Sequence, residues 1–234
     1  MTTNEGKVKI MRRPLITVMV FVVILVIAVV LISILSYHFK KSDKDNTLNP
    51  ATFRLPFKQM PLHYNVTIKT YLPFYVPFPS NKNLTFDGQV AITIQILEPL
   101  WEINLYVKNI TVDPLKCSVV TNGSALKIEQ VLNHEKVLRL ELVGFLMSRK
   151  LEKYEVITLT VTYTGLISNT LGGLYQAIYK QTDGVIKIAA VTQFEPINAR
   201  RMVPCFDEPR YKANWTVTVI HPKGTRAISN GIEN

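Results

Sequence analysis

Alternation of apolar and polar residues dominates the chain from about residue 53 onward and predicts β-strands, since side chains two residues apart lie on the same face of a strand. The clearest alternating segments are Leu84–Glu98, Val137–Val143, Val156–Thr164 and Asn214–Ile220. In the third segment Ile157, Leu159 and Val161 fall on one face and threonines fall on the other. The dipeptide Asn122-Gly123 separates two apolar runs and predicts a tight hairpin turn. Roughly ten strands at short spacing predict a mainly β domain, an antiparallel sandwich or a curved, saddle-like sheet.

The N-terminal region has a different pattern. Residues Leu15–Tyr37 contain no charged side chain. As a helix rising ~1.5 Å per residue, this segment would span ~35 Å, enough for a ~30 Å hydrocarbon core. The apolar region of a secretory signal is usually only ~7–15 residues long. We therefore expect an uncleaved signal anchor, with a cleaved signal peptide as the alternative.

This anchor defines the expected domain organisation. Residues 1–14 would form a cytoplasmic tail, residues 15–37 a transmembrane helix, residues 38–52 a polar stalk and residues 53–234 the β domain. Basic residues flank the helix on both sides, so the positive-inside rule gives only a thin margin. Acceptor triplets for N-linked glycans decide the orientation, because all of them follow the helix; their asparagines are Asn65, Asn83, Asn109, Asn122 and Asn214. The prediction is a single-pass type II glycoprotein of the plasma membrane or a secretory-pathway membrane, with its C-terminal side extracellular or lumenal.

Charge and cysteine content narrow the function further. The net charge of +10 would raise nucleic acid as a partner in a soluble protein. Part of this charge lies in the tail, where it would meet the lipid bilayer, and the rest is spread over a secretory ectodomain. We therefore expect no nucleic-acid partner. Cys117 and Cys205 are too few for a disulfide framework, and the sequence leaves their pairing open, with two separate thiols favoured over one bridge.

Candidate chemistry concentrates in the stretch Thr192–Lys212, which follows an apolar run, Val185–Val191, predicted to be a buried strand. If the strand continues, Gln193 and Glu195 share a face until Pro196 ends the ladder. One interpretation is structural: Asp207 and Glu208 pair with Arg200 or Arg201 and fix a rigid turn, because residues of opposite charge lie close together in the sequence. The other is that Gln193 and Glu195 bind a polar or cationic group of a ligand.

This stretch resembles a signature of the aminopeptidase N family of zinc metallopeptidases. The matching residues run T-Q-F-E-P from Thr192, A-R-R from Ala199 and P-C-F-D-E-P from Pro204. Upstream, the resemblance includes Gly173-Leu174-Tyr175 and Arg54-Leu55-Pro56. It implies the family's N-terminal β domain, with Gln193 and Glu195 at the edge of the substrate cleft. There, Glu195 would help to hold the free α-amino group at the N-terminus of a peptide substrate.

The catalytic motif of that family is missing from this chain. The resemblance implies a zinc ion in the complete enzyme, bound in part by H-E-x-x-H. Here, His134-Glu135 is followed by Leu138 where the second histidine would stand. We expect no catalytic residue, no metal ligand and no zinc bound by this chain alone.

The chain is therefore expected to be an anchor, a stalk and a β domain truncated at its C-terminal end. Three alternatives remain: an incomplete copy of a peptidase, a natural inactive short form, or a cell-surface module that binds peptides or partners. Substrate preference and a homodimer are left open.

Overall fold

The structure is a computed structural model that describes residues 18–20, 22–33, 54–133 and 141–232. The chain divides into two units, residues 1–50 and residues 51–234. In the first unit residues 18–20 and 22–33 are helical. Among the described residues, no helix has both the length and the apolar character needed to cross a membrane. The predicted tail, the stalk and both ends of the predicted anchor lie outside the described residues.

The second unit is built from strands and three short 3-10 helices among its described residues. The strands are β1 (Gln59–Tyr71), β2 (Thr85–Ile96), β3 (Leu100–Tyr106), β4 (Ile110–Val112), β5 (Ser118–Thr121), β6 (Ser124–Leu126), β7 (Ile128–Asn133), β8 (Leu142–Leu151), β9 (Val156–Leu166), β10 (Gly173–Lys180), β11 (Ile186–Gln193) and β12 (Asn214–Ile220). The 3-10 helices are Ser80–Lys82, Pro114–Lys116 and Ala199–Arg201. The prediction of a mainly β domain is confirmed.

The strands form three sheets. The largest has the order β12-β1-β2-β9-β5-β6, with β4 also paired to β9. A second sheet has the order β3-β8-β7, and β10 and β11 form a two-stranded third sheet. All pairs are antiparallel except β1 with β12, which run parallel. The predicted purely antiparallel arrangement is wrong at this edge, where the long chain segment between β1 and β12 permits a parallel crossover connection.

The core follows the alternation seen in the sequence. Ile157, Leu159 and Val161 of β9 are all buried, as the pattern predicts. Glycine and aromatic residues alternate across the β2–β9 pair: Gly88 lies opposite Tyr163, and a Cβ at Gly88 would come within 2.4 Å of the tyrosine ring. Phe86 covers Gly165 in the same way. The two rings occupy the space that side chains at positions 88 and 165 would otherwise take.

Two predicted strands differ from expectation in burial. In β12, Trp215, Val217 and Val219 are 41–49% exposed, although they continue the face of β1 that is buried. The reason is that β12 is an edge strand among the described residues. In β11, only Ile188 is buried, so the prediction that Val185–Val191 forms a buried strand is wrong: β11 belongs to a two-stranded sheet and pairs with β10 alone among the described strands.

Two further segments test the pattern. Asn122 and Gly123 connect β5 to β6 with φ of 49° and 75°, which confirms the predicted hairpin turn. The predicted strand Val137–Val143 lies mostly outside the described residues, as do His134 and Glu135. Its last two residues begin β8, and both are buried.

Candidate functional site

The segment after β11 forms a turn that exposes the two predicted substrate-binding residues. Strand β11 ends at Gln193, so Glu195 lies beyond it and the two side chains do not share a strand face. The N–H of Asn198 donates to the carbonyl of Phe194 at 2.7 Å, and its side-chain amide donates to the carbonyl of Glu195 at 3.3 Å. Gln193 and Glu195 are exposed, and their side chains have no hydrogen-bond partner among the described residues. Both therefore remain available to a ligand.

Arg200 is held inside the 3-10 helix that follows the turn. Its Nε donates to Oδ2 of Asp207 at 2.8 Å, and Nη2 donates to the Asp207 carbonyl at 3.1 Å. The two side chains are only 9% and 12% exposed. The guanidinium also lies over the ring of Tyr106, with Cζ 3.9 Å from the ring centroid. A charge pair shielded in this way fixes the backbone between its partners.

Glu208 has different partners from those expected. Its Oε1 accepts hydrogen bonds from the Leu55 N–H at 2.6 Å and from the Tyr106 hydroxyl at 2.9 Å. Its Oε2 lies 3.1 Å from Nε of Arg210, without the alignment of a hydrogen bond. The expected pairing of Glu208 with Arg200 or Arg201 is not seen, because Arg200 is engaged by Asp207 and Arg210 is closer in the chain. Burial, followed by the hydrogen bond to Glu208, raises the pKa of Tyr106 well above its usual value.

The turn is joined to the first described residues of the domain. Besides the Leu55–Glu208 bond, Nη2 of Arg210 donates to the carbonyl of Leu55, and the hydroxyl of Tyr211 donates to the carbonyl of Pro56 at 3.3 Å. The turn and the start of the domain, separated by about 150 residues in the chain, are therefore in direct contact. Sequence patterns do not reveal these contacts, since nothing in either segment marks the other as its partner.

Cys205 lies in the buried part of the turn. Its N–H donates to the Tyr106 carbonyl at 3.2 Å, and its thiol is fully enclosed, which raises the thiol pKa well above its usual value. Next to it, the Phe206 N–H donates to the Tyr64 hydroxyl at 3.1 Å. Cys117 is half-buried, and both cysteines are free thiols in the structure. Raised pKa values and burial make both thiols unreactive.

The remaining predicted sites are at the surface. All five acceptor asparagines are exposed: Asn65, Asn83, Asn109, Asn122 and Asn214. Asn65 of β1 is in register with Thr216 of β12, so the acceptors Asn65 and Asn214 lie on the same outer face of the sheet, two residues apart in register. Exposure and surface placement are what glycan addition requires.

Metal-binding side chains do not converge in the described part of the chain. Among residues 54–133 and 141–232, no three His, Cys, Asp or Glu side chains are close enough together to hold a metal ion. A hydrolytic zinc site takes about three protein ligands and an open position for water. The described residues therefore do not offer the ligand set of such a site.

The comparisons with known proteins agree with this architecture. Residues 60–234 match the family model described as the peptidase M1 N-terminal domain. Aminopeptidase N of Haemonchus contortus is 58% identical over 191 residues, which are 82% of this chain and 19% of that protein. Glutamyl aminopeptidase of Sus scrofa is 29% identical over 192 residues, 81% of this chain and 19% of that protein. Aminopeptidase N of Bos taurus is 30% identical over 181 residues, 76% of this chain and 18% of that protein. The chain spans about a fifth of the length of these curated relatives.

Proposed function

Because the chain belongs to the peptidase M1 N-terminal domain family, we propose that it is the N-terminal part of a membrane-bound zinc aminopeptidase that removes N-terminal residues from peptides. The observation that carries the proposal is the match over residues 60–234 together with 58% identity to an aminopeptidase N over 82% of the chain. The resemblance stated from Thr192–Lys212 is thereby confirmed at the level of the family. In this proposal the chain supplies the anchor and one edge of the substrate cleft, and the zinc site belongs to another part of the enzyme.

Glu195 is the proposed partner of the substrate's free α-amino group, with Gln193 beside it. An α-amine has a pKa near ~8, so it is largely protonated at neutral pH, and a fixed carboxylate is its natural partner. Support comes from the turn that holds the backbone of Glu195 through Asn198 while the side chain remains exposed. In this proposal Glu195 binds only the α-amino group, and other parts of the enzyme contact the rest of the peptide.

Zinc would supply the activated water in the complete enzyme. The described residues of this chain offer no cluster that could bind it. We expect the isolated chain to contain no stoichiometric zinc after dialysis and to release no chromophore from alanyl or leucyl amides. Stoichiometric zinc with turnover above a Glu195→Ala control would contradict this expectation.

The N-terminal region is proposed to be a type II signal anchor in the plasma membrane or a secretory-pathway membrane. Support comes from the 23-residue uncharged segment Leu15–Tyr37 and from the five exposed acceptor asparagines that follow it. The tail 1–14, the stalk 38–52 and the domain 53–234 complete the proposed organisation.

Amine binding tests the role of Glu195 directly. The full chain, solubilised in detergent, is titrated calorimetrically with leucine amide and with N-acetyl-leucine amide. We expect tighter binding of the free amine, because the acetylated nitrogen carries no charge. Glu195→Gln should abolish the difference, whereas Glu98→Gln, which removes another exposed carboxylate elsewhere in the domain, should preserve it.

Equal binding of the two amides by the unaltered chain would contradict the role of Glu195. Mapping the 3′ end of the transcript then distinguishes the alternative interpretations of this chain. Continuation into H-E-x-x-H supports the peptidase. A stable secretory-pathway product that ends at Asn234 supports the inactive, peptide- or partner-binding module instead.

A further inference from the structure

Arg201 differs from its neighbour Arg200, because no described residue forms a hydrogen bond or an ion pair with its guanidinium. Its Nε is buried and makes no hydrogen bond, and no described Asp or Glu forms an ion pair with it. A buried N–H that lacks an acceptor costs free energy, and a charged donor costs more than a neutral one. Such a group in a folded protein calls for an explanation, and an absent ligand is one.

The side chain of Arg201 lines a cavity of about 350 Å³. The polar residues around it are Asn83, Asn109, Ser168, Asn169 and Gln176, and leucine and isoleucine side chains complete its wall. None of the described residues that line this cavity is an Asp or a Glu. The cavity therefore combines one unpaired cation with neutral amide and hydroxyl groups, which is the composition of an anion site.

Gly173 makes room for Arg201, and its neighbour Gly172 lines the cavity. Gly172 and Gly173 have φ of 122° and 72°, values that other residues rarely adopt. A Cβ at Gly173 would lie 2.3 Å from Cβ of Arg201, so no larger residue fits there while Arg201 keeps its position. The close approach of the Gly173 backbone thus fixes the base of the arginine side chain.

Another part of the cavity wall is also held in place by hydrogen bonds. The Ser168 N–H donates to the Leu174 carbonyl at 3.0 Å, and the Gln176 N–H donates to the Ser168 carbonyl at 2.8 Å. The hydroxyl of Ser168 lies 2.8 Å from that of Thr170. These bonds order the segment before binding, so a ligand does not have to supply the free energy of ordering it.

We propose that this cavity binds a carboxylate, with the guanidinium of Arg201 as its principal partner. A guanidinium presents two parallel N–H groups to a carboxylate, which makes the pair directional as well as charged. The cavity lies at the small end of the ~300–1,000 Å³ range of ligand sites, so it suits one acidic side chain or a small dicarboxylate. The site is separate from the amine-binding role proposed for Glu195 and does not depend on it.

Binding by the full chain tests the site. The protein is produced without glycosylation, so that no attached acidic sugar can supply the carboxylate, and it is titrated in chloride-poor buffer. The probes are glutarate, its neutral counterpart glutaramide, and N-acetyl-glutamate amide with its glutamine counterpart. We expect saturable binding of the acids and at least about tenfold weaker binding of the neutral counterparts, since charge-assisted hydrogen bonds are lost. Binding of glutarate alone identifies a free small acid as the ligand, and binding of the glutamate amide identifies an acidic residue of a peptide.

Three variants locate the binding. Arg201→Gln should weaken binding of the acid at least about tenfold, and Arg201→Lys should fall between, because lysine keeps the charge but loses the paired N–H groups. Lys223→Gln removes an exposed cation elsewhere and should leave binding unchanged. Circular dichroism confirms that each variant is folded. Equal affinity for acid and neutral probes by the unaltered chain would overturn the proposal even if no Arg201 variant folded, as would unweakened binding by a folded Arg201→Gln.

Discussion

Arg200 packs its guanidinium against the ring of Tyr106, 3.9 Å from the ring centroid, and its Nε lies 2.8 Å from Oδ2 of Asp207. Tyr106 in turn donates its hydroxyl to Glu208, which also accepts the N–H of Leu55. The contacts link the signature segment, the end of β3 and the first described residues of the domain. The two adjacent acidic residues thus have distinct structural roles: Asp207 neutralises an arginine, and Glu208 joins distant segments.

Arg200→Ala should lower the free energy of unfolding by about 3–5 kcal/mol, because it leaves the enclosed Asp207 carboxylate without its cation. Urea denaturation followed by tryptophan fluorescence measures the change. Lys127→Ala is the control, since its pair with Glu129 is exposed and should contribute only ~0–1 kcal/mol. Similar losses in the two variants would show that the Arg200–Asp207 pair does not stabilise the turn.

Gly173→Ala should destabilise the domain more than Gly123→Ala does. The two glycines have nearly the same φ, 72° and 75°, so both variants carry the strain of a left-handed residue, about 1–2 kcal/mol. Only at Gly173 does the new methyl group meet a neighbour, Cβ of Arg201, whereas nothing lies within 4 Å of the position at Gly123. In Gly173→Ala, this overpacking adds typically ~1–3 kcal/mol to the destabilisation. Thermal melts of the two variants give the difference directly, and equal melting temperatures would mean that the turn adjusts without cost.

Glu155 should make the domain sensitive to acid. Its carboxylate accepts hydrogen bonds from Arg149 at 2.6 Å, from the Glu152 N–H and from Thr121, and these outweigh desolvation and lower its pKa from 4.5 to about 2. Because the folded-state pKa lies below the unfolded one, the ionised carboxylate stabilises the fold above pH 4.5, and this contribution is lost as the pH falls towards 2. Since the side chain of Arg149 is 46% exposed, we expect the ionised Glu155 to contribute only about 1 kcal/mol to the free energy of unfolding.

The difference in the free energy of unfolding between the unaltered chain and Glu155→Gln should therefore decrease as the pH falls from 4.5 to 2. Urea denaturation at several pH values measures it. Glu98→Gln serves as the control, because this carboxylate is exposed and its side chain has no hydrogen-bond or ion-pair partner among the described residues. A difference that stays constant across the range would rule out the ionised Glu155 as a source of stability.

Synthesis in the presence of microsomes tests topology and glycosylation together. We expect the product to lose mass on glycosidase treatment, and each Asn→Gln change at an occupied acceptor to remove one glycan. Asn65→Gln and Asn214→Gln are the most informative pair, because the two acceptors share one face of the sheet and their occupancies should depend on each other. An unchanged mass with a C-terminus open to protease from the cytosolic side would contradict the type II orientation.

Much of the fold followed from the chain itself. Alternation in Val156–Thr164 predicted a strand and its buried face correctly, because a two-residue period leaves only one face to the core. Asn122-Gly123 predicted its own turn, since both residues tolerate positive φ. The family, too, was visible in the sequence, because many fixed residue types stand at fixed spacing in Thr192–Lys212.

Only the tertiary structure decided which residues share an environment. The exposure of Trp215 depends on the position of β12 at the edge of its sheet, and the period of the strand is the same in either position. Arg200 and Arg201 are adjacent and identical in type, yet one is enclosed with Asp207 and the other lines a cavity without an acidic partner. The local sequence pattern specifies the backbone conformation and the face of the strand on which each side chain lies. The partners of a side chain are set by contacts between segments far apart in the chain, such as Leu55 with Glu208, which no local pattern encodes.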